Sequence, residues 1–105
     1  MRAADLRTAL ARPWQHGHAV DLRGVVVTEP LDLRGLDLGG FDLRGSRFDA
    51  EVLAGGARFM GLSWFGGCRF GAELDLTGAL FVNDARFEDC HVEGSLSLSH
   101  AEFRG

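Results

Sequence analysis

One spacing governs this chain from Leu22 onward: an apolar residue returns every five or six positions, sixteen times, until Phe103. The series is Leu22, Val27, Leu33, Leu38, Leu43, Phe48, Ala54, Phe59, Phe65, Phe70, Leu76, Phe81, Phe87, Val92, Leu98 and Phe103. An α-helix returns a face about every 3.6 residues and a strand about every 2, so neither alone produces this interval. Self-similarity at a fixed interval is the mark of a solenoid, in which each repeat buries its face against its neighbours. Most steps in the first coil are five residues; from Phe48 onward five and six alternate, so that four repeats span 22 residues. Phe59, Phe81 and Phe103 are separated by that interval, as are Phe48 and Phe70, and Phe65 and Phe87. Seven of the eight phenylalanines stand on these sites.

A second inward column precedes the first by two residues, because alternate residues of an extended segment share a face. It reads Val25, Ser46, Cys68, Cys90 on one side and Leu36, Ala57, Ala79, Ala101 on another. On a third side it reads Leu31, Val52, Leu74, Leu96, and Phe41 takes such a position on the remaining one. Small residues in one column beside large ones in the next suit a narrow, filled tube.

The chain of 105 residues suffices for one domain. Its 15 glycines are about twice the usual share of ~7% and punctuate the repeats, where corners need tight turns or positive φ. Residues 2–12 read as a short helix with Ala3, Leu6, Ala9 and Leu10 on one face, stopped by Pro13. Residues 1–19 therefore form a helical cap and connector, and residues 20–105 form the repeat domain. The N-terminus lacks the apolar core of a signal peptide and no stretch is long enough to span a membrane, which with two cysteines points to the reducing cytoplasm. After residue 20 there are 14 acids against 8 arginines, leaving −6, which argues against direct binding to nucleic acid.

The repeats VDLRG (20–24), LDLRG (31–35), LDLGG (36–40), FDLRG (41–45), ARFMG (57–61), LDLTG (74–78), ARFED (85–89) and AEFRG (101–105) resemble those of the pentapeptide-repeat proteins. The resemblance covers about residues 20–105. It implies an all-β fold, a right-handed four-sided β-helix of about four coils with Leu or Phe at the centre of each side. The sixth residue in alternate repeats departs from the family pattern and is expected to widen two corners per coil.

Chemistry is sparse. Cys68 and Cys90 sit one coil apart in an inward column, within disulfide reach on strand spacing, but read as small core residues in a reducing compartment. His16-Gly17-His18 pairs two imidazoles without a third ligand, and no Cys/His spacing suggests zinc. The Asp-Leu-Arg triplets at 21–23, 32–34 and 42–44 place both charges outward around an inward Leu, a locally paired surface. No nucleophile, phosphate-loop or dinucleotide motif is present, so neither an enzyme nor a cofactor is expected.

Two surfaces stand out. Met60, Leu80 and Val82 flank core sites on one side, and Leu62 and Trp64 follow at the next corner, making a candidate apolar interaction patch, with lipid contact at Met60, Leu62 and Trp64 as an alternative reading. The helix covers the first coil, whereas the last coil, with Phe87, Val92, Leu98 and Phe103, has no cover in the sequence, and an open edge invites pairing. The sequence thus predicts a non-catalytic protein-interaction or scaffold module that forms a homodimer through that edge, or has the edge covered by another protein partner. The resemblance implies an alternative: some pentapeptide-repeat proteins are acidic rods that mimic DNA and shield DNA gyrase from inhibitors. Arg23, Arg34, Arg44, Arg47, Arg58 and Arg69 interrupt the acids on every side, whereas such mimicry needs unbroken negative columns.

Overall fold

The computed structural model describes residues 1–13, 15 and 17–105. A helix, α1 (Ala3–Leu10), leads into sixteen two-residue strands that stack as four parallel four-stranded sheets. The first face stacks β1 (Val20–Asp21), β5 (Phe41–Asp42), β9 (Ser63–Trp64) and β13 (Ala85–Arg86). The second stacks β2 (Val26–Val27), β6 (Arg47–Phe48), β10 (Arg69–Phe70) and β14 (His91–Val92). The third stacks β3 (Leu31–Asp32), β7 (Val52–Leu53), β11 (Leu74–Asp75) and β15 (Leu96–Ser97). The fourth stacks β4 (Asp37–Leu38), β8 (Arg58–Phe59), β12 (Leu80–Phe81) and β16 (Glu102–Phe103). The result is a four-sided β-solenoid of four coils.

Register follows the sequence interval. Phe59 pairs with Phe81 and Phe81 with Phe103, each 22 residues on, while the first coil is one residue shorter, with Leu38 opposite Phe59. The shortfall lies at Gly39–Gly40. The amide of Gly39 donates to the carbonyl of Leu10 (2.8 Å), and a Cβ on Gly40 would lie 2.7 Å from the carbonyl oxygen of His18. Glycine lets the helix end and connector approach there, and the bond satisfies one of the helix's orphan carbonyls.

The five-residue steps close as turns. Seven corners carry an i→i+3 backbone bond, from Leu36 to Leu33 through Ala101 to Leu98. Glycine with positive φ holds the third position at Gly35, Gly45, Gly56, Gly67 and Gly78, and the second position has negative φ, which makes these type II turns. The extra residue of each six-residue step goes to the other two corners, as the sequence predicts.

Inside the tube the aromatic rings form columns. Phe59 and Phe81 stack at 4.4 Å, and Phe81 and Phe103 at 4.7 Å. Phe65 stacks on Phe87 at 4.9 Å and Phe48 on Phe70 at 5.2 Å. Phe41 meets Phe65 edge-on at 5.1 Å. Offset stacks and edge contacts both suit the ring quadrupole.

The helix is shorter than the 2–12 expected from sequence. It ends at Leu10 because Ala11 leaves helical geometry (φ −79°, ψ 10°). Leu6 and Leu10 are buried and join the solenoid core. Glu29 accepts the Ala3 amide at 2.9 Å and pairs with Arg2, supplying from a distant corner the N-terminal cap that Arg2 cannot.

Candidate functional site

The outward residues make charged ladders. Arg23, Arg34 and Arg44 each reach back two residues to Asp21, Asp32 and Asp42 through paired bonds of 2.7–3.0 Å. Arg58 grips Asp37 across one coil at 2.7 Å. The bond from Arg23 holds the Asp21 carboxyl down at about 2, and Arg34 does the same for Asp32. Apart from Asp42, which is largely covered, these groups are solvent-exposed, so the pairs order the surface more than they stabilise the fold.

The five patch residues are half-buried and divided between two faces. Met60 and Val82 follow β8 and β12 on the fourth face, and Leu80 lies between Arg58 and Glu102 in the ladder. Trp64 stands on the first face, opposite Asp42 and Arg86. The guanidinium groups of Arg44 and Arg86 lie over its ring, 5.1 and 4.9 Å from the centroid, and its indole N–H donates to Asp84 at 3.2 Å. The ring is thus engaged by two cations within the chain. Trp64 is half-buried and its ring and indole N–H already have partners within the ladder.

The far end of the tube differs. Leu96, Leu98 and Phe103 are 51%, 45% and 51% exposed, three of the five exposed large hydrophobics among the described residues, the others being Met1 and Val26. With Phe70, Leu74, Leu76, Phe87, Cys90 and Val92 they frame an apolar hollow of about 290 Å³. The sequence-predicted edge residues Phe87, Val92, Leu98 and Phe103 all line it. The inward column places Leu96 with Leu31, Val52 and Leu74, which are buried; Leu96 is exposed, on the strand that stands at the edge of its sheet.

The thiols have a structural job. Ser46, Cys68 and Cys90 donate in turn to the carbonyls of Leu22 (3.3 Å), Leu43 (3.0 Å) and Phe65 (2.9 Å), one small donor per coil at the same corner. Both cysteines are free. Burial pushes the Cys68 thiol up to about 12, and burial also raises Cys90. Below the ordinary thiol value of about 8.5 the neutral form prevails in both folded and unfolded chains. As pH rises from there toward 12, the unfolded chain ionises first and stability falls. At about pH 8 Cys90 is expected to react with iodoacetamide while Cys68 stays protected until unfolding. Equal rates for the two in the folded chain, read by mass spectrometry, would contradict this placement.

Of the His16-Gly17-His18 pair, His16 lies outside the described residues and His18 is exposed. Among the described residues no group of three His, Cys, Asp or Glu side chains could hold a metal ion, and no helix is long and apolar enough to cross a membrane.

Parallel two-residue strands, glycine corners and stacked central Leu and Phe define a four-sided repeat solenoid. A family signature for pentapeptide repeats in nine copies matches residues 54–102, which supports the pentapeptide-repeat family for that stretch of the solenoid. Comparison with curated proteins and with solved structures gave no match. The fold suggests a protein-interaction module, since it presents rigid side-chain ladders and nothing in it shows catalysis.

Proposed function

We propose that this chain is a non-catalytic interaction module that pairs with a second copy of itself through the outer edge of its last coil. The observation that carries the reading is the concentration of exposed Leu96, Leu98 and Phe103 around one apolar hollow. Such a patch at a strand edge favours association. The opposite end is sealed by α1, with Leu6 and Leu10 in the core. Two open ends facing each other therefore give a closed pair instead of a filament. The arginine clamps on Asp21, Asp32, Asp37 and Asp42 weigh against the gyrase alternative, because they break the negative columns that a phosphate mimic requires.

Sedimentation equilibrium tests the reading. The wild type is expected to approach twice its 11.4 kDa chain mass at high micromolar concentration. Leu96→Asp with Leu98→Asp is expected to stay monomeric and folded, because both side chains are about half exposed. A wild type that remains monomeric throughout the range sinks the pairing.

A further inference from the structure

Two corner columns run up the tube. One reads Gly24, Gly45, Gly67 and then Asp89; the other reads Gly35, Gly56, Gly78 and then His100. All eight residues have φ between 58° and 71°, the left-handed region. The first three coils fill both columns with glycine, and the last coil uses residues that carry a Cβ. The turns are otherwise kept: Cys90 still donates to Phe87 (3.3 Å) and Ala101 to Leu98 (3.0 Å). The left-handed region penalises a residue with a Cβ, less for Asp and His than for bulkier ones. Both strained positions thus fall in the coil with the most exposed core, which also has a neighbour on one side only.

We infer that the last coil is a conformational unit of its own, opening and closing on the three coils beneath it, with Asp89 and His100 setting how often it opens. In a solenoid each coil is held by its neighbours, so an end coil with one neighbour and two strained turns opens first. Because this coil builds the apolar hollow, its opening also dismantles the docking edge, a consequence that rests on the pairing reading above. The edge is then switchable by whatever holds the coil shut.

Amide hydrogen exchange at low micromolar concentration tests the coil without requiring pairing. The amides of Glu93, Glu102 and Arg104 bond to the third coil at 2.8–2.9 Å; those of Gly71 and Val82 bond to the second at 2.7 and 3.0 Å. Their bonds are alike, so a difference in exchange reports opening. The last-coil amides are expected to exchange roughly 100-fold faster. Asp89→Gly with His100→Gly is expected to slow them about tenfold while changing Gly71 and Val82 less than about twofold. Conversely, Gly78→Ala puts a Cβ at φ 67° in the third coil and is expected to speed Val82 exchange about tenfold. One common rate for all five amides, or equal slowing of both sets by the double glycine variant, overturns the inference. A wild type that never pairs but shows the coil-specific slowing defeats the pairing reading and leaves this one standing.

Discussion

Phe59→Ala is expected to remove most of the solenoid's stability. Phe59 is 1% exposed and sits between Leu38 below and Phe81 above, with the Phe81 ring 4.4 Å away and nearly parallel. Phe41 and Phe65 approach its sides at 6.2 and 6.4 Å. Truncation to Ala loses the transfer free energy of the ring and leaves a void that stacked coils cannot close, because their spacing is fixed by the backbone ladders. Such changes cost about 3–5 kcal/mol, against a total of about 5–15 kcal/mol for a typical domain. Urea unfolding followed by far-UV circular dichroism should show a large drop in midpoint, or a chain unfolded without urea. Phe59→Leu, which matches the residue in the coil below, should cost far less. A near-normal midpoint for Phe59→Ala would mean that the column is not continuous.

The difference between these two substitutions reflects how much of the fold is visible in the sequence. A two-residue strand carries almost no local signal, and the interval of 22 carries nearly all of it. Because Phe59, Phe81 and Phe103 recur at that interval, their stacking follows once the tube is granted. The ends are less legible. The inward column predicts that Leu96 is buried like Leu74, yet burial depends on whether another coil lies above, which a periodic pattern cannot say. Outward residues are harder still. Trp64 reads as an exposed apolar side chain until the ladder brings Arg44 and Arg86 over its ring. Those arginines are 20 and 22 residues away, so the contact was available from the register, but only with side-chain directions in hand. The substitution of Gly67 and Gly78 by Asp89 and His100 one coil later was also readable. Its meaning depends on which corners adopt positive φ, which the spacing of glycines alone does not give.

That dependence on neighbours also governs the second large effect, expected at the opposite end of the tube. Leu6→Asp places a carboxylate at a position with 0% exposure, against the core that α1 shares with the first coil. An ionised carboxylate has no partner there, and burying one unpaired is far more costly than releasing the helix. The helix should therefore undock, exposing Leu10 as well, at about 1.5–3 kcal/mol for each buried leucine lost. The Glu29 carboxylate would lose the Ala3 amide and Arg2, and the Gly39 amide would lose its acceptor on Leu10. Since coils are coupled mainly to their neighbours, the damage should concentrate in residues 20–40 and fade up the tube. Hydrogen exchange is expected to show loss of protection at Leu31, Leu33 and Gly35, whose amides bond to the second coil at 2.7–3.0 Å, with Gly71 and Val82 retained. Leu6→Met conserves volume and should cost less than about 1.5 kcal/mol. If Leu6→Asp leaves first-coil protection intact, α1 does not seal that end. With both ends then open, head-to-tail growth would compete with the closed pair.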